Sequence, residues 1–138
     1  MEVFYMFKYE NSVTSKTTVQ KLWDYYSDVN KWHLWDKGIK SVDLFGAFTT
    51  TTDGVMNMLD GSALPFLITE CTPNKSFTTQ SKLGNIFVTF GHELKENGDT
   101  VTIMHTVTIE GGNDMQMEGM GKAIVASIPE CMQRLIAL

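Results

Sequence analysis

The strongest constraint on the fold is an apolar stripe that closes the chain. From Met117, apolar residues recur at 117, 120, 124, 128, 131, 135 and 138, in steps of 3 and 4. This is one face of a helix of about six turns. Such a face is stable only when another layer covers it. The 72 residues before Gly111 carry strand and turn signals instead. The chain of 138 residues is therefore expected to fold as a sheet with one long helix laid across it, in a single domain, 1–138. Asn113 or Asp114 starts that helix, Pro129 is expected to kink it, and Gly119 and Gly121 weaken its first half.

The rest of the pattern fills in the sheet. Residues 3–9, rich in aromatics, read as a first strand. Thr14 and Ser15 offer caps to a helix over 16–26, where Val19, Leu22, Trp23 and Tyr26 share one face. Asp28 can cap a second short helix over 29–35, with Trp32 and Trp35 on one side. Strands follow at 39–44, 55–59, 64–71, 76–82, 86–95 and 100–110. Turn signals separate them at Gly46, Asp60-Gly61, Pro73-Asn74, Gly84-Asn85 and Asn97-Gly98. Short connections imply antiparallel pairing, and a sheet this wide curls. The Thr49–Thr52 run reads as the solvated start of a strand, and a curled sheet around one helix can leave space between them.

Charge narrows the partners. The net charge is −5, from 11 basic and 16 acidic residues. That balance disfavours nucleic acid and anionic membrane surfaces, which need clustered Lys and Arg. No apolar run approaches the length of a membrane span, and residues 1–10 do not read as a secretory signal. Cys71 and Cys131 have no metal or redox spacing, so a cytoplasmic protein with free thiols is expected. The chain also carries 9 Met, 8 Phe, 4 Tyr and 3 Trp, adaptable groups suited to a core or an apolar cavity.

The order strand, two short helices, six strands, long helix resembles the helix-grip fold of the START-like superfamily, also called SRPBCC. Three stretches are similar to its polyketide cyclase/dehydrase-like branch. The first runs from Leu22-Trp23 through Asp28-Val29 to Trp32-His33-Leu34-Trp35-Asp36. The second is Ile68-Thr69-Glu70-Cys71-Thr72-Pro73-Asn74-Lys75-Ser76-Phe77. The third is Phe90-Gly91-His92-Glu93-Leu94 with the hairpin and strand after it. The resemblance implies an α+β fold: a curved antiparallel sheet of six to seven strands wrapped around the C-terminal helix, with two short helices after the first strand. It implies a pocket for an apolar or amphipathic small molecule and no cofactor. It does not imply one catalytic residue set, because members of this superfamily share none.

Strand alternation selects the polar groups of such a pocket. His92 shares a face with Val88, Phe90 and Leu94, and His105 shares one with Val101, Ile103, Val107 and Ile109. With Asn97-Gly98 as the loop, Phe90 faces His105 and the two histidines become diagonal neighbours. They are candidates for general acid/base groups or for ligand orientation, and equally for core histidines bonded to backbone. No third ligand with diagnostic spacing accompanies them, Glu70 and Asp36 being the nearest, so no metal is expected. Glu70 alternates with Phe66 and Ile68, which leaves it either buried or exposed at the strand end. Trp35 is placed at the pocket mouth or as an anchor, with Asp36 capping a loop or touching ligand. The remaining wall candidates are Met56, Met58, Phe66, Phe77, Phe90, Met117, Met120 and Ile124. Gly119 and Gly121 either make room for ligand or let the helix approach the sheet.

Three functions fit this reading. One is a binding protein for a small hydrophobic or aromatic ligand. Another is a cyclase or dehydratase in which a histidine removes a proton alpha to a carbonyl. A third is a protein-interaction module. A homodimer through a strand edge is compatible with the sequence. No nucleophile–base motif, P-loop or dinucleotide fingerprint occurs.

Overall fold

The computed structural model of the chain describes residues 5–138. Seven strands form one antiparallel sheet: β1 (Phe7–Ser15), β2 (Ile39–Leu44), β3 (Asp53–Met58), β4 (Ala63–Thr72), β5 (Ser76–Leu83), β6 (Ile86–Asn97) and β7 (Thr100–Glu110). Their order is β1-β7-β6-β5-β4-β3-β2. Apart from the step from β1, every neighbour is a sequence neighbour, as short hairpin connections require. The helix α1 (Val19–Ser27), a 3-10 turn (Val29–Lys31) and α2 (Trp32–Trp35) follow β1. The chain closes with α3 (Asp114–Val125) and α4 (Ile128–Ile136). This is the α+β helix-grip architecture.

One sheet face is the core face. On β7 every odd residue from Val101 to Ile109 is buried, and the even ones are half-exposed. Leu22, Tyr26, Trp32 and Trp35 from the short helices and Met117, Met132 and Leu135 from the C-terminal helices join this face in one core. Asp28 accepts from Asn30 N at 3.0 Å, the expected cap.

The structure departs from the sequence expectations at several points, among them Thr49–Thr52, which turn ahead of β3 rather than begin it. The opening strand runs later. Val3 and Phe4 lie outside the described residues, and β1 continues to Ser15, pairing with β7 from Phe7↔Ile109 to Ser15↔Val101. Thr14 and Ser15 therefore sit in the ladder, and Thr18 caps α1 by accepting from Lys21 N. A long neighbouring strand satisfies backbone groups that local capping would leave free.

The β6–β7 loop is Gly98-Asp99. Asn97 pairs with Thr100, so His92 faces His105 directly. Gly98 takes φ +64° at the first loop position, where a type II′ turn needs glycine. The shift is two residues, so no side chain changes face. A bulge between Ile68 and Glu70 puts Cys71 opposite Phe77 and Glu70 opposite Thr78. Glu70 thereby leaves the row of Phe66 and Ile68. It accepts hydrogen bonds from Thr72, Ser76 and Thr78 instead. As expected, the long C-terminal helix bends, at Ala126-Ser127, where both residues keep helical dihedrals. Pro129 stands in the first turn of α4, where its missing N–H costs nothing. The kink expected of Pro129 is present, just ahead of the proline.

Candidate functional site

The sheet and the C-terminal helices do not close on each other completely. Between them lies a cavity of about 320 Å³. Its walls come from every layer: Met56, Met58 and Leu64 from β3 and β4, Thr79, Ser81 and Leu83 from β5, Val88, Phe90 and His92 from β6, and His105 from β7. Trp32, Trp35 and Asp36 border it at α2, and Ala123, Ile124, Ser127, Ile128 and Cys131 at α3 and α4. The surface is mostly apolar with a few polar groups, the composition of small-molecule sites.

The inner end is built around a buried tyrosine. Tyr26 points from α1 into the sheet, fully buried, and its Oη lies 2.7 Å from His105 Nε2. Tyr26 Oη has no other hydrogen-bond partner among the described residues. Donation of the phenol proton to Nε2 satisfies both groups and leaves the His105 proton on Nδ1. His92 Nδ1 lies 3.3 Å from the Phe77 carbonyl oxygen. A carbonyl only accepts, so Nδ1 carries the proton and Nε2 keeps its lone pair. The two imidazoles meet edge to face at 4.7 Å. His92 lies flat on the Phe77 ring, 4.0 Å between centroids.

Burial sets the charge state of this end. Desolvation holds His105 down to about 4. It lowers His92 well below the ordinary histidine range, helped by His105 and opposed by the Phe77 carbonyl. Desolvation also raises the Tyr26 phenol. At neutral pH both imidazoles are therefore neutral hydrogen-bonding groups. Asp36 lies at the end of α2 and accepts from Gly38 N at 3.0 Å. Burial raises its carboxyl, against that hydrogen bond and the charge of Arg134. Cys131 beside it is pushed up to about 12, mainly by burial, so it stands as an inert thiol.

Seven of the sequence-predicted residues meet at this cavity: Trp35, Met56, Met58, Phe90, His92, His105 and Ile124. Four others do not line it. Phe66, Phe77 and Met117 are core residues, nearly or fully buried, and Met120 packs half-buried against that core. Phe77 lies behind His92 and Phe66 lies against Trp32, 5.6 Å between rings. Helical and strand periodicity assigns a residue to the inner face but does not separate first contact from backing. Gly119 and Gly121 do not border the cavity either. Gly121 is buried, and a Cβ there would meet the Phe7 ring at 2.5–2.6 Å, so it serves close approach to β1.

Tyr26, Thr79 and Ser81 were not singled out from sequence. Tyr26 reads as one more apolar position of α1, and nothing local ties it to a histidine 79 residues away. The hydroxyls had a signal. Thr79 and Ser81 share the alternating row of buried Phe77 and are themselves 4% and 1% exposed.

No protein-family profile matches the chain, and no curated protein sequence is similar to it. Solved structures do match. The di-domain ARO/CYC protein StfQ from the steffimycin biosynthetic pathway superposes with a TM-score of 0.78 at 10% identity, over 96% of this chain and 50% of that one. Ara h 8.0201 superposes with a TM-score of 0.71 at 16% identity, over 97% of this chain and all of that one. Norcoclaurine synthase from Thalictrum flavum, in complex with dopamine and hydroxybenzaldehyde, gives 0.71 at 12% identity, over 96% of this chain and 85% of that one. All three are helix-grip proteins of the Bet v 1 and SRPBCC type. The chain has their fold, and its sequence is far from each of them. No described helix is long and apolar enough to cross a membrane.

Proposed function

We propose that the chain binds a small, mostly apolar aromatic molecule in the cavity between sheet and C-terminal helices. One observation carries this reading: an apolar cavity of about 320 Å³ with two neutral imidazoles in its wall. The volume lies at the low end for small-molecule sites, which favours a compact ligand over a long acyl chain. His92 Nε2 offers an acceptor for a ligand hydroxyl or N–H, while His105 is held by Tyr26. The norcoclaurine synthase complex holds small aromatic molecules, and its fold is the one found here.

The charge states favour binding over proton abstraction. A general base works best with a pKa near the ambient pH. His105, held to about 4, is a weak base, and His92 is lowered as well. Both groups orient a ligand better than they deprotonate one.

The test uses the cavity rim. Ala123 and Ser127 border the cavity yet are exposed, so they mark its mouth. Wild-type protein is expected to take up a fluorescent apolar dye such as anilinonaphthalene sulfonate and release it to small phenols. Ala123→Trp should abolish uptake without lowering the melting temperature. Undiminished dye uptake by that folded variant would overturn the proposal.

A further inference from the structure

We propose, building on the ligand-binding reading above, that Asp36 reads the polar end of the ligand and that the cavity takes an aryl-alkyl amine in its protonated form, its ammonium group at Asp36. Among the described residues that line the cavity, Asp36 is the only Asp, Glu, Lys or Arg. The two imidazoles in the wall, His92 and His105, are neutral at neutral pH. The formal charge of the wall is therefore a single negative one. Beside apolar surroundings such a charge favours a cation and disfavours an anion.

Asp36 is half-buried, not sealed, and it directly follows α2. Its Oδ1 accepts from Gly38 N at 3.0 Å. Gly38, Ala123 and Ser127 are exposed and line the same cavity, so the carboxylate stands beside the rim. The neighbouring cations are engaged elsewhere. Lys37 pairs with Glu130 at 2.6 Å. The charge of Arg134 acts on Asp36, but Arg134 does not line the cavity, and its Nη2 donates to the Leu34 carbonyl at 3.2 Å. No described Lys or Arg forms an ion pair with Asp36. Cys131 beside it offers only a weak thiol donor. Charges taken out of water are normally paired, and this carboxylate has no counter-ion in contact within the chain.

An ammonium group answers the carboxylate twice, with its charge and with its N–H donors. A neutral hydroxyl supplies the hydrogen bond alone, and a ligand carboxylate is repelled. Trp32 and Trp35 line the same cavity, and indole is the side-chain ring that best attracts a cation. Met56, Met58, Leu64, Val88, Phe90 and Ile124 make the rest of the wall apolar, which suits a hydrocarbon or aromatic body. The wall thus selects a molecule with one cationic end on an apolar body. Fatty acids and aryl carboxylates are disfavoured on the same ground.

Three probes of similar shape test the proposal by calorimetry: naphthylethylamine, naphthylethanol and naphthylpropanoate, which end in a cation, a neutral hydroxyl and an anion. At neutral pH the wild type is expected to bind the amine roughly tenfold more tightly than the alcohol, the worth of adding charge to one hydrogen bond. The propanoate should bind more weakly than the alcohol. This ranking reads the proposal without any substitution. Asp36→Asn keeps an oxygen for Gly38 N and removes the charge. It should bring the amine down to the affinity of the alcohol and leave the alcohol unchanged. Ala123→Trp should abolish amine binding, which separates the cavity from the acidic surface. Equal wild-type affinities for amine and alcohol, a preference that survives Asp36→Asn, or amine binding that survives Ala123→Trp each overturns the role of Asp36. Where the alcohol still binds in the cavity, the binding function stands without it; where none of the three binds, both fail.

Discussion

The two ends of the cavity are built on opposite terms. At the inner end the polar atoms are tied into the protein. Tyr26 Oη meets His105 at 2.7 Å, Trp32 Nε1 donates to the Tyr26 carbonyl at 2.8 Å, and His92 Nδ1 meets the Phe77 carbonyl at 3.3 Å. The rings of Trp23, Tyr26, Trp32, Phe48 and His92 all pack on Phe77. At the mouth, Ala123 and Ser127 are exposed on the rim, and the C-terminal helix bends there at Ala126-Ser127. The contrast teaches where stability and specificity reside. Groups locked by their neighbours hold the fold, and groups left free by the fold are the ones a ligand can satisfy.

Substitutions should divide along that line. The largest loss is expected from Phe77→Ala, which empties the centre of the aromatic cluster and should cost about 3–5 kcal/mol in urea unfolding. A loss under about 1 kcal/mol would mean that the inner end is not the stability centre.

Acid should act next most strongly, and at the inner end. An unfolded histidine takes its proton near pH 6.5, whereas folded His105 resists until about pH 4. The unfolded chain therefore binds more protons in this window, so stability is complete above about pH 6.5 and falls as the pH drops toward 4. His105 alone accounts for on the order of 3 kcal/mol between those limits, and the lowered His92 acts in the same direction. Melting temperatures across pH 4–7 should show this slope. The double substitution Tyr26→Phe with His105→Phe removes both partners and should reduce the slope to the part that His92 supplies; an unchanged slope would place the acid sensitivity elsewhere.

The smallest effects come from two glycines of α3, which leads to the mouth. Gly121→Ala would drive a methyl group into the Phe7 ring and should cost about 1–3 kcal/mol. Gly119→Ala meets nothing within 4 Å and should stabilise the protein by about 0.5–1 kcal/mol. Thermal melts of both variants check the pair. Equal effects would show that helix propensity alone governs α3.

The same residues show how far the sequence could be read. The bounds of β7, Thr100–Glu110, and the inward faces of His92 and His105 follow from alternation, because a strand has only two faces. Direct opposition of the histidines does not follow. It depends on which pair of residues makes the loop, and Gly98 with Asp99 satisfies the turn as Asn97 with Gly98 would. The outward turn of Glu70 depends on one bulge in β4, and periodicity carries no mark of an inserted residue. Phe77 and Met117, expected as cavity walls, are buried core residues instead, because contact with the cavity depends on what lies in front of them.

By itself the sequence determined the layers: strands, their antiparallel order in the hairpins, and an apolar helical face that had to cover a sheet. Those features are encoded locally, in periodicities of two and 3.6 and in turn residues. Tertiary packing decided the rest. It joined Tyr26 to His105, desolvated both imidazoles and left Ser81 without a partner among the described residues. Each of these arises where segments distant in the chain meet, and burial and hydrogen bonding exist only once they have met.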